Sequence, residues 1–155
     1  MKRERATEML EELIQRASGH DWPVETVQAM WVFGSYSRGA VEPGDVDVAI
    51  DLDRSNDRWR SHFVNSMMHG RSPFGVLRKA LRGRRRGYEF VFEREHGYDD
   101  VPMTLLWKRG ESLATARKRL QAIPIDPQQD ELPETRCAPA SKDSNTEYPA
   151  HSGKN

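Results

Sequence analysis

Hydrophobic residues recur along this chain in patterns that predict alternating helices and strands. In residues 2–18 they stand three and four positions apart, which is typical of an amphipathic helix. Residues 29–33 form a short apolar run typical of a buried strand, and residues 45–53 place aspartates at alternate positions between apolar side chains. A period of two predicts a strand with one apolar face and one acidic face.

The second half of the chain continues this order. Apolar spacings of three and four residues predict helices over residues 54–69, 72–83 and 111–123. Segments rich in aromatic and branched side chains predict strands at residues 88–93 and 101–107. The Gly-Tyr-Asp-Asp turn between these two strands favours a hairpin at the edge of the sheet.

The composition changes after residue 124. Residues 125–155 hold four of the nine prolines, six acids, three bases and almost no large apolar residues. Such a segment buries too little apolar surface to offset the entropy lost on ordering. We therefore predict one domain at residues 1–124, followed by a disordered polar tail at residues 125–155 that is dispensable for folding.

Overall composition is consistent with a single domain that has a small core. The 155 residues are 36% hydrophobic and 31% charged, with a mean hydropathy of −0.83. Basic and acidic residues number 24 each, so net charge neither favours nor excludes a polyanionic partner. The single cysteine, Cys137, cannot form an internal disulfide, and no apolar stretch approaches the roughly 20 residues that span a bilayer. We expect a cytoplasmic protein with no membrane partner.

The acidic face of residues 45–53 is the first candidate site. Asp45 and Asp47 lie two positions apart on a predicted strand, so their Cα atoms are roughly 6.5–7 Å apart and their side chains share a face. Both carboxylates can then reach metal ions that lie about 3.5–4 Å apart. Their hard oxygen atoms suit Mg²⁺ or Mn²⁺.

Gly34 and Ser35 form a second candidate site, directly after the apolar run that ends at Phe33. A glycine there lets the backbone turn tightly and approach a ligand. A loop of this kind that leads into a short helix presents backbone N–H groups to phosphate oxygens, and the Ser35 hydroxyl adds a donor. Arg38, one helical turn further on, can pair with a phosphate.

Together these residues resemble the nucleotidyltransferases related to DNA polymerase β, and in particular their small stand-alone members, the minimal nucleotidyltransferases. That family is marked by a hydrophobic residue, Gly-Ser, a short spacer and Asp-x-Asp on a strand. Phe33-Gly34-Ser35, nine residues and Asp45-Val46-Asp47 match this pattern. The resemblance implies an α/β (α+β) fold with a small, mixed, twisted sheet and helices packed mainly on one face, and the predicted element order allows it.

The resemblance also implies a reaction. A nucleoside monophosphate would pass from a nucleoside triphosphate, with ATP as the expected donor, to an acceptor hydroxyl, and pyrophosphate would leave. Asp45 and Asp47 would hold Mg²⁺ or Mn²⁺, while Gly34, Ser35 and Arg38 would bind the nucleotide. The acceptor could be a protein, an RNA or a small molecule. Some stand-alone members nucleotidylate partner proteins, and a short chain is compatible with a protein acceptor.

In the resembled fold a third carboxylate comes from a later strand, and Glu89 is the positional candidate for this catalytic and metal-binding role. Glu93 is the alternative, because a shift in register would exchange the two. An ordinary strand glutamate that faces solvent is equally compatible with the pattern.

Other interpretations stay open at this point. Six bases within residues 78–86 could hold a triphosphate or a nucleic-acid backbone, or could form a solvated helix end. No aromatic residue interrupts them, so nucleic acid is possible but not indicated. The fold could also persist as an inactive binding module, such as the partner of a toxin. A glycosyltransferase Asp-x-Asp motif would leave Gly34 and Ser35 unexplained.

Overall fold

The computed structural model describes residues 1–93 and 98–131, without the side chain of residue 131. Its helices and strands follow the order α1, β1, α2, β2, α3, α4, β3, β4, α5. The helices are α1 (Arg3–Ala17), α2 (Gly34–Arg38), α3 (Asp57–Met68), α4 (Gly75–Arg82) and α5 (Leu113–Gln121). The strands are β1 (Val27–Phe33), β2 (Val46–Leu52), β3 (Tyr88–Phe92) and β4 (Thr104–Lys108). Two 3-10 turns, Val24–Thr26 and Pro127–Glu131, complete the described chain.

The four described strands form one mixed sheet in the order β3-β2-β1-β4. Strand β1 is antiparallel to both β2 and β4, whereas β2 and β3 are parallel. A parallel pair needs a crossover connection, and helices α3 and α4 supply it. The α+β class with a small mixed sheet, expected from the sequence, is confirmed.

The predicted hairpin between β3 and β4 is wrong. These strands lie at opposite edges of the sheet, and each pairs with a strand from the first third of the chain. Tyr98, which precedes β4, packs its ring edge-on against Phe33 of β1, with the ring centroids 5.9 Å apart. Strand-forming composition predicts a strand but does not identify its neighbour, since pairing depends on contacts far along the chain.

The core lies on one face of the sheet. The apolar residues of β2 at even positions are buried against side chains from α1, α4 and α5, as alternation predicts. Aspartates 47 and 51 are half-buried on the opposite face, where the Trp31 indole N–H donates to the Asp51 carboxylate at 3.0 Å. None of the described helices has the length and apolar character needed to cross a membrane.

Arg109, just after β4, ties together the segments that lead into β1. Its guanidinium donates hydrogen bonds of 2.7–3.0 Å to the backbone carbonyls of Ala17, Gly19, Val24 and Val27. Burial lowers the pKa of Arg109. One side chain thus satisfies carbonyl groups from the end of α1, the following turn and the start of β1.

Replacing Arg109 with methionine should therefore destabilise the fold by about 2–4 kcal/mol, because several carbonyls lose a charged donor and water reaches only some of them. Urea denaturation would measure this loss. Arg117, exposed on α5, offers the control: Arg117→Met should change the free energy of unfolding by no more than about 0.5 kcal/mol. Similar values for the two variants would contradict the structural role of Arg109.

Candidate active site

The turn from β1 into α2 brings the Gly-Ser pair beside Asp47. Phe33, the last residue of β1, is the register partner of Asp47 on β2. Gly34 follows with a φ of +73°, and a Cβ atom built there would lie 2.1 Å from Oδ2 of Asp47. Only glycine combines this backbone angle with so close an approach. The two candidate sites found in the sequence are therefore adjacent in the fold.

Asp47 and Glu89 are also neighbours, because they are register partners on the parallel strands β2 and β3. Adjacent strands lie about 4.8 Å apart, and partners of this kind direct their side chains to the same face of the sheet. Asp47 is half-buried and Glu89 is exposed. Asp45, also exposed, directly precedes β2.

Asp47 and Glu89 are paired across adjoining strands, whereas the three acids together do not form a metal-binding group in the described residues. Within residues 1–93 and 98–131, no three aspartate, glutamate, histidine or cysteine side chains are grouped so that they could hold a metal ion. Asp47 and Glu89 nevertheless present hard oxygen donors on adjoining strands, and Asp45 lies two residues from Asp47. This donor set fits Mg²⁺ or Mn²⁺ by its chemistry.

Glu93 lies just beyond the other end of β3. It follows Phe92, the register partner of Ile50, and its amide donates to the Ile50 carbonyl at 3.1 Å. Its carboxylate lies 3.6 Å from the Arg54 guanidinium. Glu93 lies four positions after Glu89, or roughly 13 Å along the strand direction, so Glu89 and not Glu93 adjoins Asp47.

A cleft of about 800 Å³ opens beside Glu93. Its lining includes Trp31, Asp51, Tyr98 and Asp99. Since Asp51 follows Asp47 on the same face of β2, the cleft and the pair formed by Asp47 and Glu89 occupy opposite ends of one sheet face.

Helix α2 is held by Arg3, a contact that the sequence did not suggest. The buried guanidinium of Arg3 donates to the carbonyls of Tyr36 and Ala40 at 3.0 and 2.7 Å and stacks over the Tyr36 ring. The Tyr36 hydroxyl shares a 2.8 Å hydrogen bond with Thr7, and burial raises the pKa of Tyr36. These contacts fix a helix of only five residues, with Ser35 half-buried in its first turn.

Arg38 occupies the last turn of α2, and its side chain is exposed to solvent. Gly39 follows with a φ of +105° and ends the helix. The structure therefore places Gly34 and Ser35 at one end of α2 and Arg38 at the other.

The spacer between the Gly-Ser pair and Asp45 is held by residues 126–131. The Asp130 carboxylate accepts hydrogen bonds of 3.0 Å from the amides of Val41 and Glu42, and the Asp126 amide donates to the Gly39 carbonyl at 2.8 Å. The folded chain thus continues beyond the boundary predicted at residue 124. Asp126 followed by proline is a helix-start signal that could have indicated this turn. The rest of the predicted tail, residues 132–155, lies outside the described residues.

Chain truncation tests this contact. Ending the chain after residue 131 should leave the melting temperature unchanged, whereas ending it after residue 124 should remove about 1–2 kcal/mol and lower the melting temperature by roughly 3–8 °C. In the full chain, Asp130→Ala should account for about 1 kcal/mol of this loss, because two amides lose a charged acceptor. Equal melting temperatures for the two truncated chains, measured by circular dichroism, would show that residues 125–131 do not stabilise the spacer.

Comparison with known protein families agrees with this geometry. The model of the family described as "Nucleotidyltransferase domain" matches residues 10–119. The matched range includes the Gly-Ser turn, both aspartates and Glu89 and ends before the turn at residues 126–131. No curated protein and no solved structure matches the chain.

Proposed function

This chain belongs to the nucleotidyltransferase family, as a minimal type within the DNA polymerase β-like superfamily, and we propose that it is an active transferase. The proposed reaction moves a nucleoside monophosphate from a nucleoside triphosphate, with ATP as the expected donor, to an acceptor hydroxyl. A new bond forms between the acceptor oxygen and the α-phosphorus, the bond to the bridging oxygen of the β-phosphate breaks, and pyrophosphate leaves.

One observation carries this proposal: the Asp47 carboxylate lies against the Gly34 turn, and Asp47 is the register partner of Glu89 on the adjoining strand. A triphosphate bound at the Gly-Ser turn would therefore lie next to two carboxylates. Charge on the phosphates would have to be neutralised before an oxygen nucleophile could approach, and a site that combines phosphate donors with acidic metal ligands does this.

We propose that Gly34 and Ser35 bind the phosphates through backbone N–H groups and the Ser35 hydroxyl. The exposed guanidinium of Arg38 would pair with a phosphate oxygen and balance the charge that develops on the leaving group. The close fit of the Gly34 backbone against Asp47 supports these roles, because it holds the phosphate donors and the carboxylate at a short distance from each other.

Asp45, Asp47 and Glu89 would hold Mg²⁺ or Mn²⁺. When bound, such an ion offsets the charge of the triphosphate and lowers the pKa of the acceptor hydroxyl. Glu89 is exposed and stands at the edge strand of the sheet, so it can also accept the proton that the acceptor hydroxyl loses.

A matched pair of glutamate variants tests the proposal. Glu89→Gln should lower the rate of nucleotide transfer by about 100-fold, since glutamine cannot take a proton and binds a dication poorly. Glu93→Gln, just beyond the far end of β3, should keep the rate within about threefold. Transfer of label from α-labelled ATP, in the presence of Mg²⁺ and a cell extract as the acceptor source, would measure both. Loss of activity in the Glu93 variant alone would assign the third carboxylate to Glu93.

A further inference from the structure

Charge is distributed very unevenly along this chain. Between residues 54 and 86, the segment from the end of β2 to the start of β3, there are ten bases and one acid, although the whole protein carries 24 of each. Nine of these ten bases are arginines. The crossover that contains α3 and α4 is therefore strongly positive, and the remainder of the protein is correspondingly negative.

Five of these bases form what we term the basic strip. They are exposed, they fall within nine consecutive residues, and they are Arg78, Lys79, Arg82, Arg84 and Arg86. In the described part of the chain, no carboxylate lies within 4.0 Å of any of them. Arg85, in contrast, forms a two-point ion pair with Glu12 of α1, with distances of 2.7 and 3.2 Å. That ion pair lowers the pKa of Glu12, and it anchors the strip to α1.

The basic strip runs toward the candidate active site. It begins on α4, where Arg78 and Arg82 stand one turn apart, and continues into the loop before β3. Gly87, the next residue, accepts a 2.8 Å hydrogen bond from the amide of Val46 through its carbonyl. Asp45 precedes Val46 and Arg86 precedes Gly87, so this hydrogen bond brings Asp45 and Arg86 near each other. The last bases of the strip therefore adjoin the acidic end of β2.

The helix dipole explains only part of this arrangement. Lys79 and Arg82 lie in the last turn of α4, where cations interact favourably with the helix end. Arg84 and Arg86 lie outside the helix, and Arg78 and Arg82 repel each other as like charges four residues apart. Arg78 also lies over the Phe92 ring, at 5.4 Å from its centroid. Since no described carboxylate neutralises these cations, the strip attracts a partner with several regularly spaced negative charges.

We propose that the basic strip binds the phosphate backbone of a nucleic acid strand. Guanidinium groups match phosphate geometry, and a strip of several bases can contact successive phosphates of one strand. No aromatic residue lies between residues 78 and 86, so binding rests on phosphates and not on base stacking, and it is independent of sequence.

An anionic membrane surface suits the basic strip less well. Stable binding to a bilayer surface combines basic residues with apolar side chains that enter the lipid. On α4, Leu77 and Leu81 are fully buried and Val76 is partly buried against the core. The exposed large hydrophobic residues of the crossover, Val64, Met67 and Met68, lie on α3 and outside the basic strip.

The proposal can be tested by binding alone, without any turnover. Short fluorescent single strands of RNA and of DNA would be titrated with the full chain across a range of salt concentrations. The variant Arg84→Gln/Arg86→Gln would be compared with Arg117→Gln/Lys118→Gln, which removes two exposed charges from α5, beside β4 at the opposite edge of the sheet. The two variants have the same net charge, and circular dichroism would verify that both are folded.

We expect the wild-type chain to bind both strands with an affinity that falls steeply as salt rises. The strip variant should weaken binding by at least about tenfold at about 50 mM salt and reduce the slope of log K against log salt by about 1.4, which corresponds to two lost phosphate contacts. The α5 variant should stay within about threefold of wild type. A preference for RNA or for DNA would identify the natural source of the backbone.

Three results would overturn the proposal. They are the absence of wild-type binding at low salt, an equal loss of binding in both variants, and binding of vesicles with anionic lipids in place of oligonucleotides. None of these results depends on whether the protein transfers nucleotides. A failure of the basic strip to bind nucleic acid can therefore be told apart from a failure of the proposed reaction.

Discussion

Replacing Asp47 with asparagine is expected to lower nucleotide transfer by at least about 1000-fold and to leave the fold intact. Asparagine preserves the shape of the side chain, but it removes a negative charge from a site proposed to hold dications opposite a triphosphate. The same change at Asp45 should have a comparable effect. Circular dichroism would verify that both variants are folded.

Asp53→Asn provides the control for this prediction. The Asp53 carboxylate accepts hydrogen bonds from the amide and hydroxyl of Ser55 beyond the end of β2, and the asparagine oxygen can accept both. Transfer by this variant should stay within about threefold of wild type. Isothermal titration with Mn²⁺ gives a second readout, in which only the Asp45 and Asp47 variants should lose affinity. Normal transfer by Asp47→Asn would remove Asp47 from the catalytic machinery.

Gly34→Ala should reduce nucleotide transfer about as severely as Asp47→Asn, for a different reason. The added methyl group would lie 2.1 Å from Oδ2 of Asp47 and would force that carboxylate away from the Gly-Ser turn. A positive φ at alanine adds a backbone cost of about 1–2 kcal/mol. We expect a loss of activity of about 1000-fold, since displacement of a charged group by 1 Å already costs about 100-fold.

The backbone cost can be separated from the displacement of Asp47. Gly70 has a similar φ of +65°, and apart from its two chain neighbours no described residue has an atom within 4 Å of a Cβ built there. Gly70→Ala should therefore lose about 1–2 kcal/mol of stability, measured by urea denaturation, and retain its activity. If both alanine variants lose stability to the same extent and both remain active, the contact between Gly34 and Asp47 is not needed for transfer.

The sequence predicted the parts of the site that depend on local pattern. Alternation of acidic and apolar residues identified β2 and its buried face, and the buried strand β1 followed from a continuous apolar run. The Gly-Ser pair was predicted beside a turn, and the structure places a helix start with a positive φ there. These features depend only on residues close together in the chain.

Features set by pairing between distant segments were not predictable from one sequence. Which glutamate adjoins Asp47 depends on the register of β3 against β2, and a shift of the pairing would have exchanged Glu89 and Glu93. The hairpin prediction failed because no local pattern identifies the neighbour of β4. Arg3 and Asp130 lie far in sequence from the segments that they hold, and both resembled ordinary surface charges in the sequence.

Transfer of a labelled nucleotide tests the central claim most directly. The wild-type chain would be incubated with Mg²⁺, a cell extract and a triphosphate labelled in turn at the α- and the γ-phosphate. We predict that an acceptor in the extract becomes labelled from the α-position only, that pyrophosphate is released in equal amount, and that chelation of the metal stops both. Labelling from the γ-position would indicate phosphoryl transfer instead. The assay would be repeated with each of the four common nucleoside triphosphates. If none of them labels an acceptor and the wild type does not bind Mn²⁺, the protein is not an active nucleotidyltransferase but an inactive binding module.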